Sequence, residues 1–73
     1  MQDMKERTKL KLFRIERKLS QEKFAEKIGF SRAHYALFEN GKRDVTLRLL
    51  QGLKTAFGLS LEKAQELTKR DNE

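Results

Sequence analysis

The residues of this chain that invite a chemical reading are Ser20, Ser31, Ser60, the single His34, the pair Gly41-Lys42 and the cations Arg32, Lys42 and Arg43. A nucleophilic serine needs a base beside it, and no such pairing is legible. Each serine instead precedes a helix-periodic run, where its hydroxyl accepts a hydrogen bond from a free amide of the first turn. Gly41-Lys42 has the form of the end of a phosphate-binding loop. Ala36, however, stands where that loop needs its first glycine, and Arg43 stands where it needs Ser or Thr. A metal at His34 would need partners, and the chain has no second histidine and no cysteine. Neither catalysis, nor a metal, nor a cofactor is expected. The chemistry left is that of binding an anion with cations and helix-end amides.

Those groups must be positioned by helices. Five segments read as helical, and no period-2 alternation competes. The first spans residues 4–17, with Leu10, Phe13 and Arg17 on one face. The second starts at the N-cap Ser20, turns Phe24, Ala25 and Ile28 inward and stops at Gly29. The third runs from Ser31 to Asn40, with Gly41 as its stop. The fourth starts at Thr46, passes through Leu47, Leu50, Leu53, Ala56 and Phe57, and stops at Gly58. The fifth starts at Ser60 with Leu61, Ala64 and Leu67 inward. A second apolar stripe on the first helix, Met4, Leu12, Ile15 and Leu19, is expected to be covered by the C-terminal segment, since a small domain seldom leaves such a patch open.

With 73 residues the chain is expected to be one domain, with its core over residues 4–70. No cysteine means no disulfide, and no apolar run approaches the roughly 18 residues of a membrane span. The net charge of +6 is unevenly spread: residues 1–19 carry +4, residues 20–43 carry +2, and residues 44–73 carry none. A basic excess in one half points to a polyanionic partner.

Residues 20–43, "SQEKFAEKIGFSRAHYALFENGKR", meet several demands at one spacing. Phe24, Ile28, Phe30, Tyr35 and Phe38 are apolar, Ala25 is small where two helices cross, and Gly29 frees the turn. With Tyr35 and Phe38 inward, the opposite face of the third helix holds Ala33, Ala36, Leu37 and Asn40, flanked by Arg32 and His34.

At these residues the chain resembles the Cro/C1-type (xenobiotic-response-element) helix-turn-helix family of bacterial and phage repressors. The resemblance rests on Leu10, Phe13 and Arg14, then "LSQEKFAEKIGFSR", "FENGKR" and "TLRLLQGLKTAFGLSLE", and covers about residues 10–67. It implies an all-α, compact five-helix bundle of the lambda-repressor-like DNA-binding type, with the helix-turn-helix in helices 2 and 3. By resemblance the third helix enters the major groove of double-stranded DNA. Arg32, Ala33 and Leu37 then contact bases, with Ala36 and His34 beside them. Gln21, Asn40, Lys42 and Arg43 contact phosphates, Arg14 and Glu39 form an ion pair between the first and third helices, and Leu59 and Leu61 lie at a homodimer interface. Leu37 departs from the family, which usually carries a polar or basic residue there, so thymine-methyl contact and DNA shape should supply specificity. Lys18 stands where the family often has glycine. Tyr35 is expected in the core with its hydroxyl at the rim, towards phosphate or water.

The expected function is a sequence-specific, cytoplasmic, nucleoid-associated transcriptional regulator, a repressor that binds a palindromic operator as a homodimer. Three alternatives stay open: an antitoxin-type regulator that also holds a toxin, to which "RDVTLRLLQGLK" has a loose likeness; a DNA-binding module of a longer ligand-sensing protein; and an interaction module without DNA. A protein partner, a toxin or an anti-repressor, belongs to these. No membrane is implicated.

Overall fold

The computed structural model describes residues 5–72. They form an all-α domain of five helices in the order α1 (Thr8–Glu16), α2 (Gln21–Ile28), α3 (Arg32–Glu39), α4 (Leu47–Phe57) and α5 (Leu61–Leu67). Four N-caps act as their residue types dictate. The hydroxyls of Ser20, Ser31, Thr46 and Ser60 accept from the amides of Lys23, His34, Leu49 and Lys63, each satisfying a donor that the helix itself cannot. Between α2 and α3, Gly29 adopts φ 87°. Phe30 then donates its amide to the carbonyl of Ala25, 2.9 Å away, which closes the short turn.

The first helix starts later than its periodicity suggested, at Thr8 rather than residue 4; Met4 itself lies outside the described residues. Arg7 holds a non-helical ψ of 75°, and its side chain does not cap α1. The cap comes from the other end of the chain. The Asp71 carboxylate accepts from the Thr8 amide at 3.1 Å and from the Thr8 hydroxyl at 2.5 Å.

The core comprises Leu10, Phe13, Phe24, Ala25, Ile28, Tyr35, Phe38, Leu49, Leu53, Ala64 and Leu67. Phe24 lies at its centre, with ring centroids 5.0 Å from Tyr35 and 5.1 Å from Phe57. Two helical phases differ from expectation. In α4, Leu49 is buried while Leu47 and Ala56 are exposed, because Leu49 and Leu53 lie one turn apart on the face that meets the core, and Leu47 sits at the open first turn. In α5, Leu61 is likewise exposed at the first turn. The second stripe of α1 is not covered: Leu12 is 51% and Ile15 46% exposed. The C-terminal segment passes instead over the start of α1, at Thr8. Leu19 leaves the stripe and packs against the core.

Helices α2 and α4 meet through Gly52, where an added Cβ would lie 2.5 Å from the carbonyl oxygen of Ile28. Lys18 adopts φ 59°, the left-handed conformation its glycine-like position implied, at a cost of roughly 1 kcal/mol for a residue with a Cβ.

Candidate nucleic-acid interface

Helix α3 is gripped by its last turn. Glu39, 4% exposed, takes hydrogen bonds from three directions. Arg14 of α1 donates through Nε at 2.7 Å to Oε2 and through Nη2 at 3.3 Å to Oε1. Gln21 Nε2 of α2 donates to Oε1 at 3.0 Å, and the Tyr35 hydroxyl donates to Oε2 at 2.5 Å. The expected ion pair therefore forms, and it joins α1 to α3 through a two-bond contact.

Burial alone would push the Glu39 carboxyl up. The hydrogen bonds from Arg14, Tyr35 and Gln21 and the Arg14 charge outweigh it and hold the group below the usual carboxylate range. The Tyr35 phenol is pushed far up, by burial first and then by its bond to the carboxylate, so it stays a donor. Tyr35 thus does not reach the rim. A buried phenol needs an acceptor, and the carboxylate one turn on supplies it. Gln21 is also partly committed, since one of its amide hydrogens serves Glu39 rather than open solvent.

This grip fixes which face of α3 is left over. Tyr35, Phe38 and Glu39 are buried, so the opposite side presents Arg32, Ala33 and Asn40 exposed, with Ala36 and Leu37 half-buried. Leu37 is therefore less open than its position opposite the core suggested. His34 leaves this face. Its ring stacks on Phe38 at 5.7 Å and meets Phe30 edge-on at 5.2 Å. Arg48 of α4 closes the same cluster, its guanidinium 4.7 Å from the Phe30 ring centroid while Nη2 donates to the Gly29 carbonyl at 2.6 Å.

Just past α3, Lys42 and Arg43 are exposed on the segment that leads to α4. That segment is held from inside by two arginines that sequence reasoning did not single out. Arg7, 1% exposed, donates through Nη1 to the carbonyls of Phe38 at 2.7 Å and Arg43 at 2.8 Å, and through Nε to that of Thr68 at 2.6 Å. Arg70 donates through Nε and Nη2 to the Gly41 carbonyl, at 3.1 and 3.0 Å. The carbonyls at the ends of α3 and α5 form a negative pole, which accounts for a cation buried between them.

A helix, its short turn and a second helix with an open face bordered by cations thus stand in fixed register. The model of the helix-turn-helix family matches residues 10–63. The chain belongs to the Cro/C1-type helix-turn-helix family. It is similar to control protein C.MunI of a Mycoplasma species, with 44% identity over 64 residues that cover 84% of this chain and 86% of that protein. This helix-turn-helix protein is accordingly a DNA-binding transcription regulator without enzymatic activity. Among its described residues no group of acidic, histidine or cysteine side chains is arranged to hold a metal ion, and no helix is long and apolar enough to cross a membrane.

Within the helix-turn-helix the structure brings together Arg32, Ala33, Ala36, Leu37 and Asn40 on one helix, with Lys42 and Arg43 beyond its end. Gln21 is joined to that helix through Glu39, and His34 is set aside against Phe30 and Phe38. Leu59 is half-buried against the core, and Leu61 is 44% exposed. Arg7 and Arg70 were missed because their partners are main-chain carbonyls, which every residue type carries alike. The only available signal was a weak one: two arginines at the two ends of a chain that needs its helix C-termini satisfied.

Proposed function

We propose that this protein is a control protein in the sense of its relative, a sequence-specific regulator that binds a palindromic operator as a homodimer. The observation that carries this reading is the open face of α3, bordered by the cations of the loop that follows it. Arg32 stands at the helix start, where a guanidinium forms a bidentate contact to guanine. Ala33, Ala36 and Leu37 offer apolar contact to thymine methyls. The free amides at the start of α2, the remaining amide hydrogen of Gln21, and Asn40, Lys42 and Arg43 take phosphates on either side. His34 serves as packing under the helix rather than as a base contact. Occupying an operator that overlaps a promoter blocks transcription with no further part, so repression is the direct outcome.

Two copies place their α3 helices about one helical turn (~34 Å) apart. Leu61 is the apolar residue open to such a contact near the α4–α5 junction, and Leu59 contributes what the core leaves uncovered. The place of action is the cytoplasm, with the DNA. A relative named a control protein favours this regulator reading over a toxin-binding one. The genes to examine first are those beside its own.

The test is selection of bound genomic fragments with the consensus read out. An inverted repeat with half-sites one turn apart is expected, and sedimentation should give two protein chains per site. Binding without any consensus, or one chain per site at saturation, would refute the operator and the dimer respectively.

A further inference from the structure

We infer that Arg70 is a positioning residue for DNA binding, setting the backbone of the loop that carries Lys42 and Arg43; this rests on the phosphate-binding reading of that loop. The loop from Asn40 to Thr46 has no regular structure of its own. Its carbonyls are nevertheless held from the core side. Arg70 forks onto the Gly41 carbonyl, reaches the Arg43 carbonyl at 3.4 Å and pairs with the Asp44 carboxylate at 3.0 Å, while Arg7 holds the Arg43 carbonyl from below.

Arg70 is itself anchored. The next residue, Asp71, donates its amide to the Glu6 carbonyl at 2.8 Å and accepts from Thr8 with its carboxylate. The N-terminal segment closes on the loop as well. A Cβ at Gly41, whose φ is 76°, would lie 1.8 Å from the Lys5 carbonyl oxygen. Residues 5–8 and 68–71 therefore form a bracket around residues 38–44, and both arms lie outside the region that the family match covers.

A loop held by its carbonyls leaves its two cations outside and removes their backbone entropy before DNA arrives. Ordering each such side chain and its loop on binding would otherwise oppose affinity. Guanidinium geometry matters here, because Nε and Nη2 fork onto the Gly41 carbonyl while Nη2 also reaches the Arg43 and Asp44 oxygens, a two-nitrogen grip that a single ammonium does not make.

The test measures binding of the full chain to a mixed-sequence duplex of about 25 bp across a salt series, where phosphate contacts dominate. Proteins compared are wild type, Arg70→Ala, Arg70→Lys, the pair Lys42→Ala/Arg43→Ala, and that pair combined with Arg70→Ala. Each is checked for folding, and amide exchange of residues 41–44 is followed in the free proteins. Arg70→Ala and Arg70→Lys should each weaken binding, the former roughly ten-fold, and flatten the salt slope. Loop amide exchange should speed up in both. Added to the Lys42/Arg43 pair, Arg70→Ala should cost little more.

If Arg70→Lys binds like wild type, Arg70 acts only as a charge and the proposal is overturned. An additive loss in the combined variant overturns it equally, because Arg70 then touches DNA or weakens the whole fold. If the Lys42/Arg43 pair itself binds like wild type, the phosphate reading of the loop has failed first, and the proposal falls with it.

Discussion

The last turn of α3 is held on two sides by arginines, and the two grips differ in kind. On the side facing α1 and α2, Arg14 meets a side-chain carboxylate, Glu39, in a pair that Tyr35 and Gln21 complete. On the side facing the chain termini, Arg7 and Arg70 meet main-chain carbonyls of Phe38, Gly41 and Arg43. The first grip orients α3, and the second holds the loop that leaves it. A pair of charges is specific to its two residues. A carbonyl grip depends only on where the backbone runs, so it constrains the path of the loop more than its sequence.

The carbonyl grip should be the costlier one to remove. Arg7→Met removes three charge-assisted hydrogen bonds to carbonyls, each worth roughly 1.5–3 kcal/mol. We expect a loss of upward of about 4 kcal/mol in urea unfolding. A loss under about 1 kcal/mol would mean water replaces the guanidinium at all three carbonyls and that this grip is dispensable.

Next comes the charged grip. Arg14→Met should cost about 3–5 kcal/mol, since the pair is buried and Glu39 is left stranded. A double-mutant cycle of Arg14→Met with Glu39→Gln should show strong coupling. Additive effects would mean the two side chains do not act as a pair in solution.

The same grip predicts a pH dependence that the Arg7 hydrogen bonds, made to carbonyls, do not share. The folded Glu39 carboxyl is held below its usual value of about 4.3. Its share of stability is therefore complete above that pH and is lost as pH falls through the lower folded value. Stability of wild type measured down this limb should fall more steeply than that of Glu39→Gln. Parallel curves would show that Glu39 contributes nothing to acid sensitivity.

Smaller effects sharpen the contrast between held and unheld positions. Lys18→Gly relieves a left-handed residue outside both grips and should stabilise the fold by about 0.5–1 kcal/mol, read as a raised Tm. Leu37→Ala, on the open face, should cost about 1 kcal/mol or less in folding because Leu37 is only half-buried. It should lower specific DNA affinity, and replacing the contacted thymine by uracil should weaken wild type but hardly affect the variant. Unfolding of Leu37→Ala would place Leu37 in the core instead.

What could be read in the sequence was whatever is written in side-chain type at fixed spacing. Ser20, Ser31, Thr46 and Ser60 marked four helix starts, because a cap acts on amides two or three residues away. Gly29 with Phe24, Ala25 and Ile28 marked the turn and the inward face, and Arg14 with Glu39 marked the charged grip by resemblance. Only tertiary structure decided the rest. Asp71 caps α1 from 63 residues away, Arg7 and Arg70 bind carbonyls, and Gly52 admits the backbone of Ile28. His34 turned onto Phe30 and Phe38, Tyr35 onto Glu39, and Leu12 and Ile15 stayed open. The physical reason is common to these. A local hydrogen bond is set by the few dihedrals between its partners, whereas a carbonyl or a ring edge becomes a partner only once distant segments have been brought beside it.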